Sequence, residues 1–214
     1  MNRHNPGATP LYAAALTGAY ACAELLLAAG ANANAANLDG STPLLVSCQE
    51  GHLLLSILLS SHGASRRRRW CGRRPRSGCT WAEELALRHS HTELVRWLRG
   101  SSTFSPLHHI EVLTSERTLS LLHSGCSPVA GCISPAKLAC QQPDKAAAWL
   151  ILRAAAPWSP QAHWLWSTTC RDRAVLVVKI GYMLARQYAA EHGYCAMIDV
   201  WLMHVMPHAI TWTT

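Results

Sequence analysis

The sequence predicts an all-α fold, a helical-repeat solenoid closed by a C-terminal helical cap, and two observations carry that expectation. The first is a fixed period. Thr9-Pro10-Leu11 returns 33 residues later as Thr42-Pro43-Leu44, and the same offset takes Gly18 to Gly51, Gly30 to Gly63 and Ala31 to Ala64. Self-similarity at such a spacing is the signature of stacked supersecondary units. The second is the pattern inside each period: turn, short apolar helix, glycine, second apolar helix, Gly-Ala. The apolar stripes of one such helix pair have nothing to bury against until another pair stacks on them.

The elements follow in chain order. Thr9 and Thr42 suit N-caps, where a hydroxyl accepts from an orphan backbone N–H, and Pro10 and Pro43 suit the first helical position, which needs no N–H. Residues 11–16 form a helix of small side chains, and Gly18 supplies the left-handed residue that ends it. The second helices carry stripes at Cys22, Leu25, Leu26 and Leu27 and at Leu54, Ile57, Leu58 and Leu59. A third unit keeps Ala82, Glu84, Leu85, Ala86, His91, Glu93, Leu94, Val95 and Leu98 in register but six residues late, which places an insertion in the loop before it. A fourth restores Ser105-Pro106-Leu107-His108 and ends at Gly125, and a weaker fifth runs from Ser134-Pro135 to Ala156. The link Arg99 to Thr103 between the third and fourth is too short for an ordinary hairpin.

Thr-Pro-Leu, Gly-His, the Leu-Leu pairs and Gly-Ala-Asn together resemble ankyrin repeats. The resemblance implies an array over residues 1–156, of about four to five units with the later ones degenerate, followed by a C-terminal helical extension or cap over 157–214. It further implies a non-enzymatic protein-protein interaction module or scaffold, with partners meeting the hairpin tips and the exposed side of each first helix. The tip residues are Asn32, Asn34, Asn37, Leu38 and Asp39, and the helix-face residues are Tyr12, Leu16, Gln49 and Glu50. The family's turn-tying His after Thr-Pro-Leu is matched only by His108; Tyr12, Leu45 and Glu84 stand in its place elsewhere, so those turns are expected to be looser. His52 and His91 are expected to hydrogen-bond near the inter-helix turn.

Composition restricts the reading further. The chain has 214 residues, half of them apolar, enough for a continuous core, and only 14% charged. Its net charge of +7 comes from 16 Arg and 3 Lys against 12 acidic residues. Nine cysteines, an odd number with no C-x-x-C pair, fit reduced thiols in an intracellular protein. Met1 to Pro10 leads into the repeat without an apolar stretch, so no signal peptide is expected, and the apolar runs at 174–185 and 196–206 are too short and too interrupted to cross a bilayer. The first unit opens on Tyr20, Cys22, Leu25 and Leu26 without the polar outer face of a terminal repeat, as in an array that begins mid-solenoid.

Charge is concentrated at the insertion: Arg66, Arg67, Arg68, Arg69, Arg73, Arg74 and Arg76, with Trp70 among them. Clustered arginines neutralise phosphates or carboxylates and release counterions, which makes this segment a candidate contact for an anionic partner or a nuclear-import signal. The competing reading is a solvated insertion whose like charges repel one another. Nucleic acid is the minor alternative, since no second basic surface accompanies it. The expected location is cytoplasmic, with the nucleus reached through this segment, and the expected state is a monomer bound to a protein partner.

No cofactor, metal or catalytic role is expected. His204 and His208 are four apart, His89 and His91 two apart, and His108 and His109 adjacent, but no third convergent ligand accompanies any pair. There is no phosphate-binding glycine loop and no G-x-S-x-G elbow. Cys71 and Cys79 lie near arginines without a placed base.

The final third changes character. Pro157-Trp158-Ser159-Pro160 marks a turn with an N-cap at Ser159, then helices are expected over Arg171–Ala190 and Ala196–Met206, the second stopped by Pro207. Six of nine tryptophans lie from Trp149 onward, giving this segment a bulkier core than the Ala-rich repeats. Its expected role is to seal the last repeat. The alternative is a docking site that makes the chain a substrate adaptor of a ubiquitin ligase, on a faint likeness of Leu165, Cys170 and Arg171 to the helix of a suppressor-of-cytokine-signalling box.

Overall fold

Threonine caps and left-handed glycines set the helix boundaries of the first repeats. The computed structural model describes residues 7–66, 80–192 and 199–211, and all regular elements among them are helical. Helix α1 (Pro10–Thr17) starts where Thr9 Oγ1 accepts from Tyr12 N at 3.2 Å, and α3 (Pro43–Glu50) starts the same way at Thr42. Gly18 and Gly51 end these helices at φ +71° and +82°, a region costly for any residue with a Cβ. The returning helices are α2 (Tyr20–Ala28) and α4 (Leu53–Ser61).

The third pair, α5 (Trp81–Arg88) and α6 (Thr92–Gly100), is as well formed as the first two. Its six-residue delay is divided. Thr42 to Thr80 is 38 residues, five beyond the period, whereas His52 to His91 is 39, so one extra residue lies in the inter-helix turn rather than in the loop. Ser90 there takes φ +62°, standing in for the glycine of the earlier turns. The turn before α5 is also tighter than expected: Glu83, not Glu84, occupies the position of the turn-tying residue. Its carboxylate accepts from Thr80 N at 3.2 Å while Thr80 Oγ1 accepts from Glu83 N at 3.3 Å, a reciprocal capping box.

In the fourth unit the first helix is reduced to one 3₁₀ turn, Pro106–His108, where Ser105 N donates to His108 Nδ1 at 2.9 Å. That bond is the expected turn-tying contact.

Two compact units divide the chain, Met1–Val112 and Leu113–Thr214. The division falls inside the fourth repeat unit, not at the 156/157 change in composition, because the helices after Thr114 find their core among themselves. In the first unit, α1 packs on α3, α3 on α5, and α2 on α4. Leu11, Leu44, Leu45, Leu58, Leu59 and Leu98 are fully enclosed. The expected stripes need correction at Cys22, Leu25 and Leu54, which are exposed; Leu27 is buried as expected, and Leu55, outside the expected stripe, is buried in the second repeat.

The second unit contains α7 (Ser115–His123), α8 (Pro135–Ala139), α9 (Ala146–Ala155), a 3₁₀ segment (Pro160–Leu165), α10 (Thr168–His192) and α11 (Met206–Ala209). Helix α9 packs on α7 and α8, and the 3₁₀ segment covers α7 and α9, with His123 Nε2 donating to Trp164 O at 2.8 Å. Ser159 makes no side-chain cap; the long helix is capped instead by Ser167, whose Oγ accepts from Cys170 N at 3.4 Å, so it starts three residues before Arg171. Pro207 does not stop the last helix. The π-helical turn Trp201–Val205 widens the backbone just before it, accommodating a ring that would clash in a regular helix, and the chain stays helical to Ala209. Trp201 rests on Gly181 of α10 and its Nε1 donates to Val177 O at 3.0 Å.

Candidate functional site

The first hairpin tip is closed by its own hydrogen bonds. Asn37 N donates to Ser41 O at 2.9 Å, Ser41 N returns to Asn37 Oδ1 at 2.8 Å, and Gly40 N reaches Asn37 O at 3.0 Å. Asn37 is therefore buried, a correction to its expected place among the contact residues: its amide builds the loop. Asn34 is likewise committed to structure. Its Nδ2 donates to Gly63 O at 3.0 Å and its Oδ1 accepts from Ser65 N at 2.8 Å, tying the first tip to the second. Asn32 remains exposed while its Oδ1 accepts from Asn34 N at 2.9 Å. What this scaffold presents outward is Leu38, 77% exposed, and Asp39.

On the helix side, Tyr12 is 5% exposed and belongs to the core, so it cannot be a contact residue without rearrangement. Its position three residues after the Thr9 cap turns it inward, as Leu45 is turned after Thr42. Leu16, Gln49 and Glu50 do lie at or near the surface, at the C-terminal ends of α1 and α3. The same positions of α5 are Leu87 and Arg88, both exposed. Because α1, α3 and α5 pack side by side, Leu16, Gln49 and Leu87 form one row, flanked by Glu50 and Arg88. Sequence reasoning missed Leu87 and Arg88; counting from Thr80 as from Thr42 would have found them.

Arg66 departs most from expectation. It does not join a solvated basic segment: its Nη1 donates to Leu98 O and Ser101 O, both at 3.0 Å, and its guanidinium lies 4.7 Å from the centre of the Trp97 ring. A cation on the last carbonyls of α6 meets the negative end of the helix dipole, and the aromatic face adds cation–π attraction. Trp97 and Phe104 in turn contact His109, at ring centroid separations of 5.8 and 6.0 Å. Burial, then the neighbouring Arg66 charge and His108, push the His109 imidazole down to about 3, so it is neutral. Arg67, Arg68, Arg69, Trp70, Arg73, Arg74 and Arg76 lie outside the described residues.

The second unit carries a cavity of about 520 Å³ lined by Trp158, His163, Val175, Val178, Tyr182 and Leu202, with Lys179 also on its wall. Trp158 Nε1 donates to His163 Nδ1 at 3.3 Å, and the two rings meet edge to face. Burial and then Arg171 hold the His163 imidazole below its ordinary range. The outer side of α10 adds exposed Leu176, Ile180 and Met183.

Among the described residues, no group of three or more His, Cys, Asp or Glu is placed to hold a metal ion. Cys48, buried between α3 and α4, has its thiol pushed up to about 12 by burial, which removes the thiolate that nucleophilic chemistry needs. His91 is structural as expected: its Nε2 bonds Gln49 O at 2.9 Å. No described helix is long and apolar enough to cross a membrane.

A family model described as ankyrin repeats (3 copies) matches residues 11–107, from α1 to the 3₁₀ turn at Pro106–His108. No curated protein matches the chain.

Proposed function

We propose, on the premise that this is an ankyrin-repeat protein with its repeats at residues 11–107, that the chain is a non-enzymatic scaffold. Its protein partner meets the tip at Leu38 and Asp39 and the row Leu16, Gln49 and Leu87. Ankyrin repeats mediate protein-protein interaction; the finer assignment rests on one observation. Leu38 is an apolar side chain held out to solvent on a loop locked by three internal hydrogen bonds and, through Asn34, by the next tip. A locked loop loses little conformational entropy on binding, so an exposed anchor on it favours affinity. The charged neighbours, Asp39, Glu50 and Arg88, provide both signs and suit orientation of the partner more than affinity.

The test is affinity capture with the intact chain against a Leu38→Ser/Asp39→Ala variant. Partner loss with an unchanged unfolding midpoint supports the surface; undiminished capture removes it.

A second reading, docking of an adaptor through the C-terminal helices, is favoured by the apolar cavity beside Trp158 and the exposed apolar side of α10. Co-purification of ubiquitin-ligase adaptors with the intact chain, lost on Val178→Trp, which fills that cavity, would carry it.

A further inference from the structure

Three segments of the second unit enclose a space that their own side chains do not fill. Along α10, Ala174, Val175, Val178, Lys179 and Tyr182 recur at helical spacing and form one wall of the cavity of about 520 Å³. Trp158, which is buried, and His163 of the 3₁₀ segment form the second wall, and Leu202 of the π-helical turn forms the third. Two features hold it open. Trp201 is fixed on the neighbouring stripe of α10, over Gly181 and against Val177 O at 3.0 Å, and Ala174 supplies only a methyl group to the wall.

The polar chemistry of these walls is one-sided. An indole N–H can only donate, so the Trp158–His163 bond makes Nδ1 the acceptor and leaves the proton of the neutral imidazole on Nε2. Burial and then Arg171 hold that imidazole below its ordinary range, so it is neutral at neutral pH and its Nε2–H is a donor. Lys179 adds an ammonium, and none of the residues lining the cavity is acidic. An apolar space with a few polar groups, in the range of about 300–1,000 Å³, is the usual form of a small-molecule site. The geometry points to a binding site for an amphipathic monocarboxylate, its hydrocarbon body against Trp158, Val178 and Leu202 and its carboxylate paired with the Lys179 ammonium. A charge-assisted bond of this kind is stronger than a neutral one, and His163 Nε2–H is a second donor for the head group. A cationic amphiphile of the same length meets an ammonium and no carboxylate. This site goes beyond the scaffold reading and does not depend on it.

The probe is decanoate, titrated below its micelle concentration into the full chain by calorimetry. One molecule per chain is expected to bind, with a negative heat-capacity change from the buried apolar surface. Decyltrimethylammonium, with the same body and the opposite charge, is expected to bind at least about tenfold more weakly. Lys179→Met keeps the length of an exposed side chain and removes its charge. It is expected to weaken decanoate by about fivefold or more while leaving the binding of decanol and the unfolding midpoint unchanged. Val178→Trp, which fills the cavity, is expected to abolish the binding of both. Several molecules bound per chain, equal affinity for the two charged head groups, or decanoate bound by Lys179→Met as tightly as by the parent chain overturns the site. Decanoate binding that survives in a folded Val178→Trp chain overturns it too. Should Val178→Trp fail to fold, the exposed Lys179→Met substitution decides alone. Binding is read on the chain without any adaptor, so this site and the docking of a protein beside Trp158 can fail separately.

Discussion

Arg66 and His109 show how far a residue's role depends on what folds around it. In the sequence Arg66 is the first of an arginine run and nothing separates it from Arg67; the carbonyls it serves, Leu98 and Ser101, are more than thirty residues away. Replacing it with alanine leaves two carbonyls at the end of α6 without their charged donor and bares the Trp97 face, and is expected to lower stability by about 1–3 kcal/mol in urea titration. Lysine should recover only part of this, since an ammonium lacks the planar fork and stacks less well. For His109 the sign follows from burial. The folded imidazole sits at about 3 against 6.5 for an ordinary histidine, so the unfolded chain takes up the proton first. Its contribution to stability is complete above pH 6.5 and is lost as pH falls from there toward 3. His109→Leu is therefore expected to flatten the fall in unfolding free energy over that window; an unchanged slope would show that other groups govern it.

At the scale of elements, the caps were the most legible feature. Thr9 and Thr42 cap helices where pattern reasoning put them, because a cap depends on neighbours within three residues, whereas Ser159 makes no side-chain cap. Burial was less legible, since it depends on the neighbouring pair: Leu25 and Leu58 share a sequence position but not an environment. Leu58→Ala is expected to cost about 2–5 kcal/mol, and Leu26→Ala, at a half-buried site, clearly less; comparable values would show that α2 is covered by something further. Gly51 combines positive φ with a neighbour. A Cβ there would stand 2.5 Å from the His91 ring, and Gly18 faces His52 in the same way. Gly51→Ala should therefore destabilise by more than about 1 kcal/mol, through backbone strain and the displaced imidazole together. Chemical denaturation of the Gly51→Ala and Gly51→Ala/His91→Ala proteins separates the two contributions.

For the whole molecule, one regular period sufficed to recognise the architecture of residues 11–107, because each helix pair repeats the same local rules. Beyond Val112 the period no longer guides the chain: composition changes at 157, whereas the packing of α7 against α9 begins earlier. The candidate surface was legible only in part. Leu38 and Asp39 could be read from the tip sequence, but asparagine looks the same on paper whether it reaches a partner or, like Asn37, closes its own loop. The surface reading predicts that Leu87→Ser, in the row, weakens partner capture while shifting the unfolding midpoint by less than a degree or two, since exposed substitutions change stability by about 0.5 kcal/mol at most. The seating of each histidine on the preceding repeat's glycine has an implication for how such a chain can be lengthened or shortened. Ring and socket lie in different repeats, so a repeat is not the unit that can be exchanged. Excising the 33 residues from Tyr20 to His52 joins Ala19 to Leu53, removes the His52 ring together with the Gly51 socket, and leaves Gly18 facing His91 as Gly51 did. Moved one residue back, to Ala19–Gly51, the same excision keeps His52 in the same repeat as Gly18 and strands its ring without a socket.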